Sequence, residues 1–162
     1  MNETPFLDRY GGQTLSELLA LADTYRADSI TLAIEEALLR KPADELSSAE
    51  RVVLAVVALE REVNNGGYNQ FFLNEPGFAH EVAASLDQIG CGETARISRG
   101  AVAGLGIQPY WTTDQIQDAA ADARDEQDAR LGELDDEFFA YPDPIADRLL
   151  AYIRQNGANI SL

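Results

Sequence analysis

The chain carries one histidine, His80, and one cysteine, Cys91, so the catalytic chemistry open to it is narrow. A catalytic metal needs several ligands at matched spacing. Ala79 and Glu81 around His80 form neither HExxH nor another ligand pattern. His80 therefore reads as a lone surface histidine. Cys91 sits in the glycine turn Gly90-Cys91-Gly92, and a catalytic thiol needs a base that His80 alone could supply. The glycines fit neither the GxxxxGK phosphate loop nor a dinucleotide fingerprint. Carboxylates are so abundant here that finding two together says nothing about acid–base catalysis. The residues predict no enzyme, no metal and no cofactor.

Two groups of residues remain. The first is Asn64-Asn65-Gly66-Gly67-Tyr68-Asn69-Gln70-Phe71-Phe72, which interrupts a long apolar-patterned run. Asn and Gly tolerate the left-handed conformation that a helix exit often needs, so the stretch reads as a stop followed by a short aromatic helix. Asn64 and Asn65 would bond carbonyls freed at the helix end. Tyr68, Phe71 and Phe72 would anchor the core, and Gln70 would satisfy a buried backbone group. The alternative is a ligand or partner site, favoured if Asn64, Asn65 and Gln70 face a cleft with unsatisfied polar atoms.

The second group is acidic. The net charge is −16, from 28 acidic and 12 basic residues. Residues 114–147 hold twelve acids against Arg124 and Arg130, which is −10 of the total. Such a surface repels nucleic acid and anionic membranes and attracts basic partners. Asp114, Asp118, Asp122, then Asp125 or Glu126, recur at three- or four-residue steps, so one long helix would carry them about 4.5–6 Å apart along one face. DNA places a phosphate charge about every 1.7 Å of axis when both strands are counted, so one helix cannot copy that pattern alone. A second stripe, from another helix or a symmetry mate, would be needed. Asp128, Glu133, Asp135 and Asp136 extend the candidate surface. The same acids also read as a solvated face or as adaptation to salt.

The elements that position these groups are helices. Thr14-Leu-Ser-Glu17, Ser47-Ser-Ala-Glu50 and Thr112-Thr-Asp-Gln115 have the form of capping boxes. Helices are expected over residues 29–41, from Ser47 to the Asn-Gly stop, over 68–74, from Pro76 to near Gly90, and over 94–105 with Gly100 and Gly104 as weak points. A single long helix is expected from Thr112 to Phe138, with Ile116, Ala120, Ala123, Gln127, Leu131, Leu134 and Phe138 as its apolar seam. Pro144 opens the last helix. At 162 residues and 46% hydrophobic, the chain reads as one compact all-α domain of seven to eight helices, orthogonal and bundle-like. Residues 1–13 are expected to be loosely ordered. The single cysteine and a first segment without a basic-then-apolar pattern fit a cytoplasmic protein.

Glu60-Arg-Glu62-Val-Asn64-Asn65-Gly66-Gly67-Tyr68-Asn-Gln70-Phe71-Phe72 resembles the signature of a bacterial family of small α-helical proteins. Its named member is an acidic DNA mimic. Ala84, Leu86, Ile89 and Gly90, then Leu134–Pro142 with Leu149–Ile153, extend the resemblance over residues 46–155. The resemblance implies a helical domain, a homodimer and an acidic face that covers the basic surface of a DNA-binding protein. A small-molecule or peptide-binding domain centred on Asn64 to Phe72, and an antitoxin or immunity protein, stand as alternatives.

Overall fold

The computed structural model describes residues 4–162. Among these residues there are eight α-helices and no strand. They are α1 (Leu15–Ala20), α2 (Ala27–Leu38), α3 (Ser48–Asn74), α4 (Val82–Gln88), α5 (Gly92–Leu105), α6 (Thr113–Ala121), α7 (Asp125–Phe139) and α8 (Ile145–Gln155). The all-α class expected from the sequence holds. All three capping boxes form: Thr14 with Glu17, Ser47 with Glu50, and Thr112 with Gln115 each exchange reciprocal side-chain and backbone hydrogen bonds.

The helix expected over residues 29–41 is α2, shifted to Ala27–Leu38, and two other expectations fail more fully. The helix placed from Pro76 does not begin there. Pro76–Phe78 is a short 3-10 turn, closed by bonds between residues three apart, and α4 starts only at Val82. The single long helix from Thr112 to Phe138 is two helices. Asp122 leaves the helical conformation and Arg124 is extended, with φ −85° and ψ 160°. Ala123 and Gln127, placed on the buried seam, are accordingly only half-buried.

Contacts divide the chain into two compact units, one running up to Val57 and resuming at Pro144–Leu162, the other Ala58–Asp143. In the first unit α2 packs against α1 and α8. Leu18, Ile30, Ile34, Leu38, Val53, Leu149 and Ile153 are fully buried. Glu50, at the start of α3, is buried as well. Its carboxylate accepts from Lys41 Nζ at 2.7 and 2.8 Å, from Ser47 N at 2.9 Å and from Ser161 N at 2.8 Å. Burial pushes its pKa up, but the Lys41 contact and the two backbone N–H groups outweigh that and hold it below the ordinary glutamate value. Residues 4–13 are irregular yet tied down: Pro5 O accepts from Arg26 N at 2.9 Å, and Tyr10 N donates to Glu36 at 2.9 Å. Residues 1–3 of the segment expected to be loose lie outside the described residues.

In the second unit α5 packs against both α4 and α7. Gly100 and Gly104 are close-approach points on that face. A Cβ at either would lie 3.1 Å from Leu134 or Arg130 of α7. The core of this unit is aromatic. Tyr68, Phe71, Phe72 and Phe138 are buried, and Tyr68 meets Phe138 edge to face at 6.0 Å.

Candidate functional site: the glycine bend and the acidic helices

Helix α3 is interrupted at Gly66 and Gly67. Gly67 has φ 79° and ψ −178°, a region that side chains disfavour. A Cβ there would lie 2.3 Å from Asp135 Oδ2. The reason for that closeness is a hydrogen bond: Tyr68 N, freed by the break, donates to Asp135 Oδ1 at 2.7 Å. The Tyr68 ring is thereby set in the core, where its hydroxyl shares a 2.8 Å hydrogen bond with Ser98 Oγ. Burial raises the Asp135 pKa, and the neighbouring Asp136 adds to the rise; the Tyr68 N–H opposes both without cancelling them.

The amides of the motif divide between two tasks. Gln70 Nε2 and Asn74 Nδ2 both donate to Glu62 Oε2, at 2.9 and 2.7 Å. Arg61 Nε donates to Glu62 Oε1 at 3.1 Å, and the Arg61 guanidinium also reaches Glu75 at 2.7 Å. Burial pushes the Glu62 pKa up, but these three donors together hold it below its ordinary value. Gln70 thus binds a buried carboxylate and not the backbone group expected of it. Asn64 Nδ2 donates to the Tyr141 hydroxyl at 2.7 Å and not to a helix-end carbonyl. Asn65 and Gly66 are exposed beside it, and Glu60 is half-buried. Phe71 and Phe72 are core residues, as expected. Among the described residues no buried side-chain nitrogen or oxygen lacks a hydrogen-bond partner. The bend therefore offers no unmet buried group to a ligand.

The sequence reading missed three polar residues that fasten this region. Asn69 Nδ2 donates to Ala120 O at 3.2 Å and lies 3.3 Å from Asp128 Oδ1. Gln127 Oε1 accepts from Arg124 N at 3.0 Å while its Nε2 donates to Leu105 O at 3.0 Å. Asp143 Oδ2 accepts from Thr94 N and Oγ1 at 2.8 and 2.9 Å. The density of amides in residues 64–74 was the signal available for Asn69. The first two contacts account for the broken acid helix. Asn69 caps a carbonyl of the last turn of α6, and Gln127 fixes the first turn of α7 to the end of α5.

The break changes what the acids do. Asp125, Glu126 and Asp128 are not mid-helix neighbours; they lie in the first turn of α7, where the helix dipole favours negative charge. Successive residues turn about 100° around a helix. Leu131, Leu134 and Phe138 face the core of α7. Asp128 and Asp135 then share one flank and meet the glycine bend. Glu126, Glu133 and Glu137 share the other, where Glu133 pairs with Arg130 at 2.8 Å and Glu137 with Arg96 at 2.7 Å. Asp125 and Asp136 point away from the core. On α6, Asp114 and Asp118 lie opposite the buried Ile116 and Ala120. The continuous stripe through Asp122 expected from the sequence does not exist.

His80 is exposed, with Nε2 donating to Trp111 O at 2.9 Å, and Cys91 is buried. Among the described residues no three His, Cys, Asp or Glu side chains are grouped to hold a metal ion, and no helix is long and apolar enough to cross a membrane.

Fold and site define an all-α protein built around a glycine-broken helix whose return path is held by carboxylates, with further carboxylates left outside. The chain belongs to the DMP19-like protein family, whose pattern matches residues 44–156, well over half of its length. That span runs from just before α3 to the end of α8 and includes the whole bend. No curated protein and no solved structure gives a significant match.

Proposed function

We infer that this chain is a non-enzymatic interaction protein that masks the basic, DNA-contacting surface of another protein. One observation carries the reading. Asp114, Asp118, Asp122, Asp125, Glu126 and Asp136 are all exposed, and none joins the ion pairs that Arg96 and Arg130 make with other acids of the unit. These six are distinct from Asp128, Asp135 and Asp143, whose carboxylates bond groups of other elements in the same unit. The helix dipole accounts for Asp114, in the first turn of α6, but not for Asp118, which lies beyond that turn and repels Asp114 at four-residue spacing. Membership of the DMP19-like family supports the same reading, since the resemblance in residues 60–72 includes an acidic DNA mimic. The partner is a basic DNA-binding protein. Charge complementarity of this kind acts mainly on association rate and selectivity.

The test is competition. The protein is titrated into complexes of labelled duplex DNA with a panel of basic DNA-binding proteins at about 0.1 M salt. Displacement of the duplex is expected from at least one, fading toward 1 M as the Debye length shrinks from about 10 to about 3 Å. The variant Asp114→Asn/Asp118→Asn/Asp125→Asn/Asp136→Asn should displace poorly. Displacement that ignores salt, or that this variant performs as well as the parent, would remove the reading.

A further inference from the structure

A net charge of −16 draws cationic proteins together with the chain but does not orient them. Orientation needs a shaped anchor, and the second unit presents one beside the glycine bend. Phe139 and Tyr141, at the C-terminal end of α7, are large aromatic side chains left 47% exposed each. Both rings pack against the same buried ring, Phe138, at 6.2 and 5.8 Å, so the two are held on a fixed base. Tyr141 is the non-glycine residue with positive φ among those described, at 48°, and its hydroxyl accepts the Asn64 hydrogen bond. That bond leaves the Asn64 carbonyl oxygen as an acceptor on an exposed residue, next to exposed Asn65. Asp136 lies one helical step from Phe139, on the outward face of α7.

We propose that Phe139 and Tyr141 form a ledge on which an arginine side chain of the basic partner stacks. Asp136 and the Asn64 amide oxygen receive the guanidinium's N–H groups. Arginine fits because its guanidinium is planar, stacks on aromatic faces and carries five donors in a fixed fork, whereas a lysine ammonium is a strongly hydrated point charge. Aromatic anchors of this kind carry a large share of the binding energy in protein interfaces. The acidic surroundings select a cationic occupant over an apolar one. The proposal rests on the acidic-surface reading above and adds to it a preference that charge alone does not give.

The experiment compares two peptides of equal charge, ten arginines and ten lysines, binding to the full chain at about 0.1 M salt. The parent is compared with Phe139→Ser/Tyr141→Gly, with Phe139→Ser alone, which keeps the Tyr141 contacts, and with Asp114→Asn/Asp118→Asn. The ratio of arginine to lysine affinity in the parent includes the fork's fit to carboxylates. It should fall about fivefold in the double aromatic variant and by a smaller factor in Phe139→Ser, which stays folded at the assay temperature with a modestly lowered melting temperature. In the α6 variant both affinities should fall, with the ratio changing far less than in the double aromatic variant. An unchanged ratio in both aromatic variants overturns the ledge and leaves the acidic surface standing. No binding of either peptide overturns both. A parent that sediments as a dimer, with the aromatic variants monomeric, overturns the ledge in favour of a second copy of the chain as its occupant.

Discussion

Two carboxylates set against the fold, the buried Glu50 in one unit and the half-buried Asp135 in the other, meet opposite fates. Glu50 of the first unit has a cation against both oxygens and two backbone N–H groups besides, and its pKa is lowered despite burial. Asp135 of the second unit has one backbone N–H and an acidic neighbour, and its pKa is raised. Glu62 is an intermediate case: two amides and the Arg61 guanidinium do together what Lys41 and the backbone do for Glu50, and its pKa is lowered as well. Burial alone does not decide whether a carboxylate stays ionised. The number and charge of the donors around it decide. A protein with 28 acids must place some of them against the fold, and Glu50, Glu62 and Asp135 each fasten a place where the chain changes direction.

The comparison can be broken most sharply at Lys41. Lys41→Met leaves the Glu50 charge buried without its cation and should cost about 3 kcal/mol, the low end for such pairs because the lysine is itself partly exposed. Urea denaturation measures it, and a loss under 1 kcal/mol would show that the two N–H groups suffice. Next is Gly67→Ala, which forces a side chain into a positive-φ conformation and against Asp135; about 2 kcal/mol of stability should go. Asp135→Ala, which strands the Tyr68 N–H, should cost about 1–2 kcal/mol, whereas Asp135→Asn keeps an acceptor and should cost less.

The two kinds of carboxylate also separate by pH. Glu50 and Glu62, with lowered values, contribute stability that is present above the ordinary glutamate value of 4.5 and is lost as pH falls through their folded values. Asp135, with a raised value, acts the other way: what its protonated form contributes is present below its ordinary value of 3.8 and fades as pH rises through the folded one. Asp135→Asn should therefore make acid unfolding begin at higher pH than in the parent, and an earlier, not later, loss in melting-temperature scans between pH 6 and about 3 is the expected result. The smallest effect belongs to the outward acids. Asp114→Asn/Asp118→Asn should leave stability within about 0.5 kcal/mol, because relief of like-charge repulsion offsets the lost dipole interaction of Asp114 in the first turn of α6. A larger loss would place those two residues among the structural carboxylates.

Much of the fold was legible because its signals are local. A capping box is four residues long, and each of the three in this chain formed where Ser or Thr preceded Glu or Gln by three. The Asn-Asn-Gly-Gly stretch broke its helix at the glycines, where Gly67 takes the positive φ that glycine alone adopts freely. The acid segment was misread because its pattern is consistent with one helix: the apolar seam continues from Ala120 to Leu131 without a proline or glycine to stop it. What stops it comes from elsewhere, Asn69 reaching Ala120 from α3 and Gln127 reaching Leu105 in α5. The same limit applied to Gln70 and Asn64, whose amides suit many partners and whose choice of Glu62 and Tyr141 depends on what the bend brings near.

The sequence by itself determined an acidic all-helical chain, where most helices start, and which aromatics of the motif enter the core. These follow from interactions between residues a turn apart and from the periodic burial of apolar surface. Only the tertiary structure decided which carboxylates are spent on the fold and which remain outside. An acid's role is set by the donors that chain reversals deliver to it, and no spacing along the sequence encodes that.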